Sequence, residues 1–273
     1  AEDIGLLPDK VFTDLVKHRY KDQTAEQFTK SLRILFAAMR EGNSMFGAHI
    51  IPWFNGGLFD DDFVPDLPGG SLHELLAACG NDWAGIDPSI FGTLFERIID
   101  ENKRAQLGLH YTSKDDILLV IEPVLMAPLR AKWRKVQADV LDVIARGDSP
   151  EAISHLTGQT DPEGIASGQK PSLAMTSAWE KLKAFSDELA ALKVLDPACG
   201  SGNFLYMALR ELLDLQKKVI IFAEEHGLPE IPLTVNPQQL YGIEVNPYAH
   251  QLAQITVWIG YIQWRYENGF AEL

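Results

Sequence analysis

Asp196, Gly200, Gly202 and Glu244 are the residues whose types and spacing could do chemistry. The stretch Leu195-Asp-Pro-Ala-Cys-Gly-Ser-Gly-Asn-Phe-Leu205 ends an apolar run on an aspartate and then sets two glycines one residue apart. Glycines so spaced turn the chain sharply and let a ligand approach the backbone, while a helix opening near Asn203 aims its free N–H groups at the same point. A second run, Gln239-Leu-Tyr-Gly-Ile-Glu244, also ends on an acid. A carboxylate at the end of a second parallel strand can accept both hydroxyls of a ribose.

Three ligand classes compete for such a turn. A phosphate loop needs Gly-Lys-Ser or Gly-Lys-Thr, but Asn203 follows Gly202 and the next lysine is Lys217. A dinucleotide turn wants a third glycine where Leu205 stands, would set Asp196 beside a pyrophosphate, and carries its ribose acid about 20 residues on, a spacing exceeded more than twofold here. S-adenosylmethionine carries a sulfonium, an ammonium and a carboxylate but no phosphate, so it is compatible with Asp196 and fits best. A nicotinamide-dependent oxidoreductase stays as the enzyme alternative. A helical scaffold that joins other modules and binds no small molecule is the alternative of another class.

The elements that must position these residues follow from pattern. Thr24 and Gln27 form a capping box ahead of Phe28, Leu32, Leu35, Phe36 and Met39, and Gly42 stops that helix. Residues 43–70 read as a packed irregular segment of turns and aromatics. Ser71 with Glu74 predicts a helix start, as does Asp87 before Pro88, with Gly108 as a stop. Ser113 opens a helix that Pro123 and Pro128 interrupt and that resumes through Trp133, Val140 and Ile144. Residues 147–172 read as a loop or insertion. A helix over 173–190 then leads into strand 192–196, a helix from Asn203, strand 239–244 and a helix from Tyr248. Strand-helix-strand-helix order is the signature of a parallel α/β sheet. The expected fold class is therefore α/β, with an all-helical N-terminal part and a parallel sheet that begins at the 192–196 strand.

Composition sets limits on function. The chain has 273 residues, a net charge of −14 and only two cysteines, Cys79 and Cys199. Neither the part before Glu188 nor the part from it onward is basic, so weak or no DNA binding is expected of these residues alone. The cysteines lack metal-ligand spacing, and no metal site is expected. No signal segment or membrane span is read in the sequence, and a cytoplasmic setting is expected. The chain starts at Ala1 and reads as a piece of a longer protein.

With these motifs in hand, Asp196–Leu205 resembles motif I of amino-methylating DNA methyltransferases, and Tyr241-Gly-Ile-Glu-Val-Asn-Pro-Tyr with its following helix resembles their second motif. Leu107-Gly-Leu-His-Tyr-Thr-Ser-Lys resembles their tenth motif, with Tyr111 and Thr112 matching and His110 and Ser113 departing. The motif order, with Asn55-Gly-Gly-Leu-Phe-Asp and Asp87-Pro-Ser-Ile-Phe-Gly upstream, is most similar to the gamma-class, MmeI-like type IIL restriction and modification family and related phage-defence methylases. The resemblance covers roughly residues 50–270. It implies a helical spacer over 1–108 followed, over 109–273, by the start of a Rossmann-like class I methyltransferase domain with an incomplete sheet, which takes S-adenosylmethionine and, in a full-length protein, methylates adenine N6 in double-stranded DNA.

By the same resemblance, Tyr111 and Thr112 line the methionine end of the cofactor. Asp196, Pro197, Ala198, Gly200, Gly202 and Asn203 wrap its methionine and ribose side, Glu244 holds the ribose hydroxyls, and Val245 packs on adenine. Phe204, at helical spacing, reads as core. The family's catalytic Asn-Pro-Pro-Tyr or Asn-Pro-Pro-Phe loop has no counterpart among the 273 residues. Asn246-Pro247-Tyr248 reads as a helix start instead. These residues alone are therefore expected neither to methylate nor to cut DNA. With only two strands, self-association through an open sheet edge is expected, along with partial uncovering of Trp258, Tyr261 and Trp264.

Overall fold

The computed structural model describes Glu2 and residues 7–22, 24–53, 63–65, 69–83, 85–90, 92, 94, 112–147 and 173–270. Close contacts divide the chain into two units that do not follow chain order: Ala1–Thr112 with Asp196–Tyr206 and Gly242–Leu273, and Ser113–Leu195 with Met207–Tyr241. Of the expected features, the Gly108 stop, Tyr111 and all of the 147–172 loop except Gly147 lie outside the described residues.

In the first unit, α1 (Val11–Asp22) and α2 (Ala25–Glu41) pair through Val11, Leu15, Val16, Phe28, Leu32, Leu35 and Met39, all buried. Both bonds of the predicted Thr24–Gln27 capping box are present, a device worth about 1 kcal/mol, and Gly42 ends α2 at φ +68°. The N-terminal part, expected to be all-helical with irregular links, also holds a pair of strands. β1 (Ser44–Phe46) and β2 (His49–Ile51) form an antiparallel hairpin with Phe46 opposite His49. Its two-residue turn has Gly47 at φ +58° and Ala48 at negative φ, the pattern a tight hairpin needs. Short apolar runs on either side of Gly-Ala were the signal, hidden among aromatics.

The helix α3 (Gly69–Ala78) corrects a second expectation, because it starts two residues before Ser71 and leaves that serine inside the first turn. Asp87 does cap as read: its Oδ1 accepts from the Ser89 N–H at 3.0 Å, and Ile90, Gly92 and Leu94 are helical.

In the second unit, Ser113 caps α4 (Lys114–Ile121), its Oγ accepting from the Asp116 N–H. The predicted proline interruption is a π-helical turn over Glu122–Met126, where Pro123 supplies no N–H to the preceding turn. The helix resumes as α5 (Ala127–Gly147) and packs on α6 (Leu173–Ala191). Trp133 stacks on Phe185 at 5.5 Å and meets Phe222 edge-on at 5.4 Å. Gln216, fully buried on α7 (Asn203–Glu225), donates to the Ser186 and Thr234 hydroxyls and accepts from the Thr234 and Val235 N–H groups. All its polar capacity is used, so it anchors the extended approach to β4 without an unpaired group. Gln239 then caps the end of α6 through the Leu189 and Leu192 carbonyls, which fixes where β4 starts.

β3 (Val194–Asp196) and β4 (Leu240–Gly242) pair, and α8 (Pro247–Glu267) follows. Each strand is shorter than its predicted run; Leu192, Lys193, Ile243 and Glu244 lie outside the strands. Ile243 donates to the Asp196 carbonyl at 2.9 Å and accepts from the Cys199 N–H at 3.0 Å. These two bonds carry the pairing past the strand ends and into the turn. The expected uncovering of the α8 aromatics does not hold for two of them. Tyr261 and Trp264 are buried, and Trp264 stacks on Phe270 at 5.6 Å, so the chain after α8 covers it. No described helix is long and apolar enough to cross a membrane.

Candidate cofactor site

Asp196 ends β3, and its Oδ1 accepts from the Ala198 N–H at 3.0 Å, a local turn that bends the chain out of the sheet. Pro197 and Ala198 are exposed on that bend. Gly200 follows at φ +53° and Gly202 at φ +84°, conformations that glycine takes without a steric cost. The Gly202 N–H donates to the Cys199 carbonyl at 2.8 Å, closing the turn one residue before α7 begins at Asn203.

Space demands glycine at 202 as much as dihedral angle does. A Cβ there would stand 2.8 Å from the Ala253 Cα of α8. At Gly242 a Cβ would stand 2.6 Å from the Cys199 Sγ. The turn therefore packs against both α8 and the end of β4 through missing side chains.

Glu244 joins them. Its Oε2 accepts from the Gly200 N–H at 2.9 Å and its Oε1 from the Asn246 N–H at 2.7 Å. One carboxylate thus ties the glycine turn to the start of α8, and each oxygen keeps a lone pair for a further donor. Asn246 caps α8, accepting from the Tyr248 and Ala249 N–H groups, with Pro247 in the first turn. That is the helix start read from the sequence.

Cys199 lies buried under the turn. Burial, then the nearby Asp196 and Glu244 carboxylates, push its thiol up to about 11. The group is a neutral packing element at physiological pH, since reactivity follows the thiolate. Iodoacetamide labelling of Cys199 at pH 8, followed by peptide mass spectrometry, is expected to be far slower than that of a free cysteine and to rise toward pH 11. Asp196→Asn removes one of the raising charges, so it should speed labelling at fixed pH. Labelling at a free-thiol rate in the folded wild type would contradict this electrostatic description.

The residues present can be tested against a nucleoside cofactor. Asn203 is buried, and its Oδ1 has no hydrogen-bond partner among the described residues. An orphaned acceptor suits a ligand with donor groups, such as an ammonium or hydroxyl, and not a bare phosphate. Val245 is 90% exposed and Ile243 and Tyr248 are also exposed, giving apolar surface beside Glu244 for a base to cover. The donor and acceptor set fits S-adenosylmethionine. Thr112 is half-buried, Phe204 likewise, and Tyr111 lies outside the described residues. Among the described residues, no group of three or more His, Cys, Asp or Glu could hold a metal ion.

Sequence reading missed that Glu244 clips two backbone N–H groups, and missed Gly92, whose would-be Cβ meets Ser201. The glycine of Tyr241-Gly-Ile-Glu was a signal for the close approach at Cys199.

The glycine turn, the paired strand ends and Glu244 all lie in the part of the chain that comparison with known proteins matches to a methyltransferase domain. Residues 173–270 match the family described as the MmeI DNA-methyltransferase domain, and residues 1–59 match the MmeI helicase spacer domain. The chain is thus similar to the MmeI spacer over its first residues and to the MmeI methyltransferase domain over its last hundred or so. The chain is 25% identical over 269 residues to DNA methyltransferase A of Bacillus subtilis, covering 95% of this chain and 26% of that protein. It is 26% identical over 244 residues to a putative type II restriction enzyme and methyltransferase of Methanocaldococcus jannaschii, covering 78% of this chain and 18% of that one. A solved structure of the type IIL restriction-modification enzyme MmeI in complex with DNA matches with a TM-score of 0.72 at 25% identity. That match covers 100% of this chain and 33% of the MmeI chain, so the chain spans a third or less of each of these relatives.

Proposed function

We propose that this chain is the cofactor-binding part of an S-adenosylmethionine-dependent DNA (adenine-N6) methyltransferase of a restriction-modification or phage-defence system. It would comprise a spacer over 1–108 and the beginning of a Rossmann-like methyltransferase domain over 109–273. The observation that carries the reading is the bond from the Gly200 N–H to Glu244 Oε2, which unites two strand ends into one cradle. When bound, the cofactor supplies an electrophilic methyl group on sulfur.

The chain's own residues bind and orient. Asp196 and the backbone of Pro197, Ala198, Gly200 and Gly202 surround the methionine and ribose side, and Asp196 offers a carboxylate to the sulfonium end. Asn203 Oδ1 accepts from a cofactor donor, Glu244 takes the ribose hydroxyls on its unused lone pairs, and Val245 lies against adenine. Tyr111 and Thr112 close the methionine end. No residue of the chain is assigned the acceptor-base chemistry, because no Asn-Pro-Pro-aromatic sequence occurs in it. Base capture needs such a loop. Double-stranded DNA is the partner of the whole protein; with its charge of −14, this chain alone binds it weakly or not at all. Leu195 and Tyr241, exposed on the short strands, favour self-association, and the setting is cytoplasmic.

Ultraviolet crosslinking of radiolabelled S-adenosylmethionine followed by peptide mapping tests this. Label is expected in peptides containing 196–204 or 243–250. Label confined to residues 1–53 would sink the assignment.

A further inference from the structure

Gly92 stands in a helical stretch, where alanine would be preferred on propensity alone, and it is buried. Its reason is a close approach within its own unit. A Cβ at 92 would collide with the Ser201 Oγ, stand 2.9 Å from the Ser201 Cβ and lie 3.5 Å from Asn203 Nδ2. Ser201 is the residue between the two glycines of the turn. Rotating the hydroxyl removes only the first collision; the Cβ contact requires backbone to move.

The stretch that carries Gly92 is held from other directions too. Gln263 of α8, itself buried, donates from Nε2 to the Ile86 carbonyl at 3.2 Å. Asp87 caps the start of the stretch. Earlier in the same unit Trp53 meets Trp258 of α8 edge-on at 6.3 Å. The same helix brings Ala253 against Gly202. The turn 199–203 is therefore wedged between Ala253 of α8 and Gly92, and each of the two contacts exists only because a side chain is missing.

We propose that Gly92 is a positioning residue for the cofactor turn: through Ser201 and Asn203, Gly92 and the backbone that holds it form a wall of the cradle and set its geometry. The spacer side of the chain then does more than link domains, since any displacement of 86–94 is felt at Gly200, Gly202 and the orphaned Asn203 acceptor. This rests on the reading of the turn as the S-adenosylmethionine cradle.

The test is a cycle of wild type, Gly92→Ala, Ser201→Gly and the double variant, titrated calorimetrically with S-adenosylhomocysteine, with thermal melts to follow folding. Gly92→Ala is expected to weaken binding by about tenfold or more, on the scale that small misplacements of a site cause. Ser201→Gly removes the colliding Cβ, so the double variant should return to the affinity of Ser201→Gly alone. A merely structural role would lower stability without this pairwise recovery of affinity. Should Gly92→Ala fail to fold, recovery of folding and binding in the double variant supports the proposal, and failure of both variants overturns it. Wild-type affinity in Gly92→Ala, or no recovery in the double variant, also overturns it.

If the wild type binds no S-adenosylhomocysteine, the cradle reading itself fails. The packing claim is then decided by Cys199 alkylation. Faster labelling in Gly92→Ala, reversed in the double variant, upholds the coupling of 86–94 to the turn; equal rates reject it.

Discussion

Replacing Gly202 with alanine is expected to destabilise the chain by about 3–4 kcal/mol, while the same change at Gly200 costs only about 1–2 kcal/mol. Both residues sit at positive φ, so both variants carry the left-handed backbone penalty. They differ in space. No described residue lies within 4 Å of a Cβ at Gly200, whereas a Cβ at Gly202 would stand 2.8 Å from the Ala253 Cα and 3.1 Å from its carbonyl oxygen. Those are backbone atoms of α8, which cannot swing aside, so the turn and the helix must separate. Urea unfolding of the two variants checks the difference. Equal losses would show that packing against Ala253 contributes nothing and that only dihedral strain matters.

Glu244→Ala is the second large effect. It removes the acceptor of the Gly200 and Asn246 N–H groups, and hydrogen bonds to a charged group are worth about 1.5–3 kcal/mol each where solvent is excluded. Glu244 is only half-buried, so water recovers part of this, and a total loss of about 2 kcal/mol is expected. Affinity for S-adenosylmethionine should fall by about 100-fold, because the ribose partner and the shape of the turn go together. Glu244→Gln separates those roles. One oxygen remains to accept, but the amide turns a donor toward the second N–H, so one of the two clips must break. Its stability should therefore fall between those of wild type and Glu244→Ala.

The sequence already contained much of this site. Asp196, the paired glycines and Glu244 were readable because a carboxylate at a strand end and glycine at a sharp turn are local requirements, visible without tertiary structure. The same locality made the Thr24, Ser113 and Asn246 helix caps legible. Ser71 misled because a capping pattern states only what a serine can do, and the helix extends two residues beyond it. The hairpin at 44–51 was overlooked because strands of three residues carry too short an alternation to stand out from an aromatic-rich segment.

Long-range relations were not legible. Gly92 and Ser201 are far apart in sequence, and nothing local marks Gly92 as anything but a poor helix former. Trp264 looked open to solvent because its cover, Phe270, comes from the stretch after the helix. The fully bonded Gln216 likewise reads as an ordinary polar helix residue until Thr234 and Val235 are seen against it.

The central claim is that the turn at 196–203 and Glu244 form one S-adenosylmethionine cradle, and calorimetric titration of the folded chain tests it most directly. Saturable binding of S-adenosylmethionine and S-adenosylhomocysteine, absent for NAD and lost in Glu244→Ala, is the predicted result. A folded chain that binds NAD in preference, or binds both methyl-cofactor forms unchanged after Glu244→Ala, would contradict it.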